Sequence, residues 1–228
     1  MADTAHKTRR KRAPLTRERV LETALTLADA EGVESLSMRK LGRALGVEAM
    51  SLYNHVPNKD AVLDGVVDLI VSEIALPEPT DDWRAGMRRR ALSAREVFAR
   101  HPGSTRLMES RKQPGPAALR YYDAVIGCLR RGGFSIALAA HAFAAIDSYI
   151  YGFALQEASM AFNGNDELVE VADDILEHLP VEQFPHFTEM IVEHALKPGY
   201  DFGAEFEYGL DLILDGFAQR LAEEQAGA

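Results

Sequence analysis

The chain has 228 residues, 47% of them hydrophobic, and a formal net charge of −10. This composition is sufficient for a packed core and excludes a disordered protein. The single cysteine, Cys128, excludes a disulfide framework within the chain and indicates a reducing compartment, so we expect a cytoplasmic protein. No uninterrupted apolar run approaches the roughly 20 residues that cross a bilayer, so no membrane partner is expected.

The charge is distributed unevenly along the chain. Residues 1–60 hold 11 Lys/Arg and 8 Asp/Glu, a net charge of +3, whereas residues 61–228 hold 14 and 27, a net charge of −13. Such asymmetry indicates an anion-facing module joined to an acidic body. The densest basic run, HKTRRKR at 6–12, is either a solvated tail or an arm that follows a DNA groove. We expect a flexible basic arm over 1–15, a DNA-binding domain over 16–60 and a larger domain over the remainder.

The first part of the chain shows helical spacing and helix-ending signals. Thr16 precedes an amphipathic run that stops at Gly32, and Ser37 caps a second run that stops at Gly46. A third, short helix is predicted over 47–55. The sequence therefore predicts three helices in the basic module.

The rest of the chain is also predicted to be helical. Asn58 caps a fourth helix expected over 59–76, and the prolines of PEPT at 77–80 form a boundary. No alternating strand pattern occurs. Further helices are expected at 83–100, 104–111, 117–131, 136–162, 166–178, 181–196 and 204–224. The expected fold class is all-α, with a small three-helix head and a larger helical body.

Within the head, the segment 37–55 has the spacing of a helix-turn-helix, in which the second helix enters the major groove of DNA. Its free outer face is expected to carry Glu48, Ala49, Ser51, Asn54 and His55.

The side chains near this face suit a duplex. Asn54 can form paired hydrogen bonds with adenine, Ser51 is adaptable, and Ala49 or Met50 can contact a thymine methyl group. Arg39 could reach a guanine or a phosphate. The expected phosphate donors are Tyr53, His55 and Lys59, the last at the positive N-terminus of the fourth helix.

Residues 16–65 resemble the DNA-binding head of the TetR (tetracycline-repressor) family of bacterial transcriptional regulators. The resemblance rests on ALTLADAEGVESLSMRKLGRALGV followed by MSLYNHVPNKDAVLDGV, and the second run is highly specific for that family. It implies a homodimer, a palindromic DNA operator and a helical C-terminal domain that binds a small-molecule effector. The implied function is a ligand-responsive repressor without a cofactor.

The same resemblance assigns DNA-facing positions. Ala49, Met50 and Asn54 stand where the tetracycline repressors themselves have glutamine, proline and tryptophan, so a different operator is expected. The alternative is a similar helical bundle with no DNA role. The implied positions are Ser37, Arg39, Glu48, Ala49, Met50, Ser51, Tyr53, Asn54, His55 and Lys59.

Two helices of the body carry stripes that would suit a four-helix interface between two subunits. Alternatively, each stripe faces only the core of its own subunit. The helix at 136–162 has small residues at Ala137, Ala139, Ala140, Ala142, Ala144 and Ala145. The last helix carries Phe206, Leu210, Ile213, Leu214 and Phe217.

The body resembles the tetracycline-repressor-type C-terminal domain more loosely, through GCLRRGGFSIALAAHAFAAIDSYIYGFAL. We expect an aromatic and methionine-rich cavity that suits an apolar or amphipathic effector, although many of these side chains at helical spacing could simply be core. The candidate lining residues are Trp83, Met87, Phe98, Met108, Tyr121, Tyr122, Phe143, Tyr151 and Phe153. His141, Asp147 and Gln156 could anchor a ligand or bond a neighbouring helix.

Enzyme function is not expected, because the chain has no HExxH, no GxSxG and no phosphate-cradling glycine loop. The acidic helix holding His186, Glu189, Glu193 and His194 is either a solvated face or a divalent-metal cluster. The magnesium ligands of tetracycline repressors do not align convincingly, so no metal is expected. A rival hypothesis is a helical small-molecule carrier or enzyme whose head is vestigial.

Overall fold

The computed structural model describes residues 14–111, 113–160 and 165–227, and within these ranges the secondary structure is helical, with no strand. The predicted all-α class is confirmed. The basic run at 6–12 and residues 161–164 lie outside the described residues.

Three helices form the head, and the predicted capping residues are confirmed as caps. They are α1 (Arg17–Glu31), α2 (Met38–Leu45) and α3 (Ala49–Leu52), with a short 3₁₀ turn at Val33–Ser35 between the first two. The Thr16 hydroxyl accepts from the Arg19 amide at 3.2 Å, and the Ser37 hydroxyl accepts from the Lys40 amide at 3.2 Å. The third helix is shorter than predicted, because the chain turns after Leu52.

The fourth helix, α4 (Lys59–Ser72), connects the head to the body. Asn58 caps it through a 2.8 Å hydrogen bond from the Ala61 amide, as predicted. It ends four residues earlier than expected, and the segment of PEPT is not helical. Because α4 packs against α1 and against the body, a displacement of α4 would be transmitted to the head.

The body is a bundle of long helices with shorter ones at its rim. The long ones are α5 (Trp83–Arg100), α7 (Pro116–Arg131), α8 (Ile136–Ser159) and α11 (Phe202–Gly227). The shorter ones are α6 (Ser104–Glu109), α9 (Asn165–His178) and α10 (Pro185–Met190), and α10 continues into a π-helical turn at Ile191–Ala195. Helix α8 packs against α5, α7 and α11, so it is the central helix of the bundle.

By length and composition alone, α8 is apolar enough to cross a membrane, with a mean hydropathy of 1.3 over its most apolar window and 33% of that window buried. The sequence prediction that no run is long enough therefore needs qualification. Asp147 and Ser148 interrupt the run, and the helix lies in a bundle with an ion pair at its centre. Its remaining apolar surface is exposed in the single chain.

Three of the five stripe residues predicted for the last helix face the interior of their own subunit, whereas Ile213 and Phe217 are half-buried. Phe206, Leu210 and Leu214 are each 0% exposed, and the ring of Phe206 stacks on Tyr149 of α8. These side chains cannot also form a subunit interface. The exposed apolar residues of α11 are instead Tyr208 and Leu212.

A group of polar contacts joins the head to the end of α5. The Nδ1 atom of His101 lies 2.9 Å from a carboxylate oxygen of Asp29 in α1, and its Nε2 lies 3.3 Å from Glu73, just after α4. Burial alone would raise the pKa of Glu73, but hydrogen bonds from Arg100 and His101 outweigh it and lower that pKa below its ordinary value. These contacts therefore hold three parts of the chain together where head and body meet.

Candidate DNA-binding surface and effector pocket

The helix-turn-helix is built on a short glycine turn. Gly46 ends α2 with φ +69° and ψ +35°, a left-handed conformation that L side chains rarely adopt. Leu41, Leu45 and Leu52 are buried between the helices. The inner face of the unit is thereby fully used, and only its outer face remains for a partner.

The predicted DNA-facing residues lie on that outer face. Met50 is 75% exposed, which is unusual for a large apolar side chain and leaves it free to contact a base. Ala49, Ser51 and His55 are half-buried. The exposed members of the predicted set are Ser37, Arg39, Glu48, Met50, Tyr53, Asn54 and Lys59.

Three of these residues lie at the N-termini of helices. Ser37 caps α2, so its hydroxyl is already engaged with the Lys40 amide. Glu48 stands at the N-cap position of α3 without a side-chain capping bond. Lys59 begins α4, where backbone amides and the helix dipole favour an anion such as a phosphate.

A cavity of about 280 Å³ lies between α4 and the segment that leads from α6 into α7. It combines aromatic and aliphatic walls with a few polar groups, as small-molecule sites generally do. Its lining residues are Asp64, Val67, Val71, Thr105, Met108, Arg111, Gln113, Pro114, Gly115, Ala118, Tyr122 and Tyr151.

Part of the predicted lining is brought together at this cavity. Met108, Tyr122 and Tyr151 line it. Phe98 stands directly behind, with its ring centroid 5.2 Å from that of Tyr151, and Phe143 packs edge-on against Tyr122 at 5.6 Å. Burial raises the pKa of the Tyr151 hydroxyl above its ordinary value, so it is neutral near pH 7.

The remaining predicted lining residues lie elsewhere. Met87 is fully buried in the core, and Trp83 packs on Phe134 with ring centroids 4.8 Å apart. Phe153 stacks on Phe202, and His141 and Gln156 are exposed on α8. Helical spacing showed that these positions are apolar or unusual, but it could not distinguish residues of the core from residues that line the cavity.

Asp147 and Tyr121 belong to a buried ion pair beside the cavity. A terminal nitrogen of Arg90, Nη1, lies 2.5 Å from the Asp147 carboxylate and also donates to the Tyr121 hydroxyl. Arg90 is 0% exposed, and its Nε and Nη2 atoms have no hydrogen-bond partner among the described residues. Of the two open alternatives for Asp147, the structure favours the bond to a neighbouring helix.

Sequence reasoning missed the polar groups of the cavity. Thr105 and Arg111 each place a buried atom without a hydrogen-bond partner at or near the lining, the Oγ1 and the Nε respectively. Thr105 lies in the short helix α6 and Arg111 lies just after it, and so short a helix gives no sequence period that would mark an inward face. A second, larger cavity of about 470 Å³ lies near the junction of head and body, but none of the described residues that line it is aromatic.

The acidic helix forms pairs rather than a shared cluster. His194 contacts Glu205 at 2.7 Å, and Glu193 pairs with Lys197 at 2.8 Å. In the described ranges, no three His, Cys, Asp or Glu side chains are arranged to hold a metal ion.

Comparison with known proteins identifies both parts of the chain. Residues 20–66 match the family model described as bacterial regulatory proteins, tetR family, and residues 76–221 match the tetracyclin repressor-like C-terminal domain. The chain belongs to the tetR family of bacterial regulatory proteins. The resemblance read from the sequence is confirmed, and the two matched regions are separated by residues 67–75, which include the end of α4.

Similar TetR-family members are transcriptional regulators. The HTH-type transcriptional repressor DrrR1 of Streptomyces coeruleorubidus is 32% identical over 219 residues, covering 92% of this chain and 80% of DrrR1. ActR of Streptomyces coelicolor, solved in complex with actinorhodin, is 32% identical with a TM-score of 0.75, covering 90% of this chain and 96% of ActR. A TetR variant from Acinetobacter baumannii AYE, solved with minocycline, is 27% identical with a TM-score of 0.68, covering 90% and 94%.

These relatives establish the kind of protein. This TetR-family chain is a ligand-responsive transcriptional regulator of the repressor type, as the sequence predicted. Its relatives are regulators rather than enzymes.

Proposed function

We propose that this TetR-family protein binds a palindromic operator as a homodimer and is released from it by a largely apolar small molecule. The observation that carries the proposal is the head, where one face of the helix-turn-helix is fully buried and the opposite face exposes Arg39, Met50, Asn54 and Lys59. Such a face suits the major groove. The ten predicted DNA-facing residues are retained as the proposed contact set.

The proposed dimer uses α8 and the outer side of α11. Ala137, Ala140, Ala144 and Ala145 are exposed on one side of α8, which allows close approach of another helix. On α11, Tyr208 and Leu212 are 68% and 57% exposed, too much apolar surface to expect on a solvated helix. A two-fold pairing of these faces would place two heads on one duplex, which is the requirement for reading a palindrome.

The proposed effector site is the cavity beside α4. A molecule held there would touch Val67 and Val71 of α4, the helix that begins at the DNA-facing Lys59. The effector would release DNA to the extent that it prefers a second position of α4 over the first. The complexes of ActR with actinorhodin and of TetR with minocycline support a small-molecule effector.

We further propose that the protein acts in the cytoplasm without a membrane partner, a cofactor or a catalytic role. The rival hypothesis is a helical carrier or enzyme with a vestigial head. The cavity beside α4 would suit a carrier equally well, but the exposed DNA-facing side chains would then have no function. Binding to duplex DNA therefore separates the two proposals.

Removing residues 1–12 should weaken binding to every duplex and flatten its salt dependence. The run 6–12 contains five Lys/Arg, and each phosphate contact contributes a slope of about 0.9 in log K against log[salt]. Fluorescence anisotropy on selected and random duplexes at several salt concentrations measures both. A variant that keeps the length but replaces the five basic residues by glutamine should behave like the truncation. An unchanged slope would show that the arm is inert, and a carrier would show no salt-dependent duplex binding in the intact chain.

A further inference from the structure

Carboxylates of helix α4 bind the neighbouring chain at two points, one in the segment between α6 and α7 and one at the start of α7. Asp60 and Asp64 of α4 each lie 3.2 Å from Nη1 of Arg111. One turn further along α4, Asp68 accepts hydrogen bonds from the amides of Ala117 and Ala118, at 2.8 and 3.2 Å, and so caps α7. The three carboxylates are spaced four residues apart, so they share one face of α4.

Residues 113–115, which lie between these two points of contact, form one wall of the cavity. A Cβ built on Gly115 would lie 2.3 Å from Oδ1 of Asp68, so only glycine allows this approach. Gln113 and Pro114 line the cavity together with Gly115, while Asp64 lines it from α4. A bound molecule therefore lies between α4 and the segment that holds it.

Arg111 takes part in both the contacts to α4 and the cavity. Its contacts to α4 use Nη1, whereas its buried Nε has no hydrogen-bond partner among the described residues. A guanidinium N–H can only donate, and a buried donor without an acceptor is unfavourable. The hydroxyl of Thr105, which lines the same cavity, is also buried without a partner among the described residues. A bound molecule that supplies an oxygen acceptor would satisfy the hydrogen-bonding capacity of these buried groups.

We propose that the effector is an apolar molecule with an acidic oxygen, and that this oxygen binds Nε of Arg111 and shares the positive charge that holds Asp60 and Asp64 at Nη1. This inference rests on the proposed function, since it assumes that the cavity holds the effector. An anionic acceptor forms the strongest hydrogen bond with a guanidinium and can engage its free edge. Because the same cation then serves two anionic partners, effector binding loosens the hold of Arg111 on α4.

The proposal is tested with two dyes that share one ring system. Anilinonaphthalenesulfonate carries an anion, and phenylnaphthylamine is the same skeleton without the sulfonate. Fluorescence titration should show that the protein binds the anionic dye at least tenfold more tightly, in the range of about 10- to 100-fold expected for a charged hydrogen bond. The variant Met108→Trp fills the cavity with an indole ring. Dye that still binds to this variant is bound at exposed helices and not in the cavity.

Two variants give opposite predicted shifts. Arg111→Gln should abolish the preference for the anionic dye while leaving the affinity for the neutral dye unchanged, which also shows that the cavity is intact. Asp64→Asn removes one of the carboxylates that share the charge of Arg111, so it should tighten binding of the anionic dye alone. The matched control is Arg106→Gln in the neighbouring helix α6, an exposed arginine that lines the other cavity, and it should leave both affinities unchanged.

The contrary outcomes are equally specific. If Arg111→Gln keeps the preference, or if Asp64→Asn weakens or does not change binding of the anionic dye, the shared role of Arg111 is wrong. If Met108→Trp displaces neither dye, the cavity is not an occupied site and the inference is overturned. Duplex binding measured on the same samples decides the DNA-binding proposal separately.

Discussion

Replacing Asp147 by alanine is expected to lower the free energy of unfolding by about 3–5 kcal/mol, because it leaves a buried guanidinium without its counter-ion. Arg90 is fully buried, and its Nη1 is shared between Asp147 and Tyr121. Burial raises the pKa of the Tyr121 hydroxyl, so this phenol stays neutral and cannot replace the lost charge. Urea denaturation followed by circular dichroism measures the loss.

The double variant Arg90→Met/Asp147→Leu is the informative control. It removes both charges and leaves apolar side chains of similar size, so it should be clearly more stable than Asp147→Ala alone. The strong non-additivity is the signature of a buried pair. If the double variant loses as much free energy of unfolding as Asp147→Ala and Arg90→Met lose together, the buried ion pair is not the source of the loss.

Placing a charge in the proposed subunit interface should abolish operator binding. Ala145→Glu puts a carboxylate on the exposed alanine face of α8, where the two-fold arrangement would bring two such charges together. Because each half of a palindrome is bound weakly by a single head, the monomer should lose recognition of the operator. Light scattering gives the assembly state, and anisotropy on the selected operator gives the affinity.

The matched control is Ala99→Glu, the same substitution on the exposed side of α5. It should stay dimeric and bind the operator normally. Leu210, which the sequence pattern assigned to the interface, is unsuitable for this test. It is buried within its own subunit, and a charge there would unfold the chain. A wild-type protein that is monomeric at micromolar concentration would contradict the dimer proposal outright.

The parts of the fold that follow from local chemistry could be predicted from the sequence. The hydroxyl and amide caps at Thr16, Ser37 and Asn58 fall where expected, because capping depends on residues only three positions apart. The exposed outer face of the helix-turn-helix was also predictable, because this unit has a fixed spacing and a specific motif. The exposure of Met50 and Asn54 agrees with that prediction.

The cavity and the interface depend on packing between distant helices, so periodicity could not resolve them. Leu210 and Leu212 lie two residues apart on one apolar helix, yet the first is buried and the second exposed. Arg111 gave no signal, since its role depends on Asp64, which is 47 positions away in the chain but only 3.2 Å away in space. Asp147 was recognised as unusual, but its partner Arg90 was not identified.

The proposed recognition of an operator depends on base readout by the short helix α3 and the turn after it. The most direct test compares Asn54→Ala with Lys59→Ala on a duplex selected from a random library and on a scrambled duplex of the same composition. If Asn54 reads a base edge, its loss should cost about 1–3 kcal/mol on the selected duplex and less on the scrambled one. Lys59→Ala should weaken both alike, since a phosphate contact carries no sequence information. Equal losses on both duplexes for Asn54→Ala would contradict base readout by Asn54, and no preference of the wild-type protein for any selected duplex would contradict sequence-specific regulation.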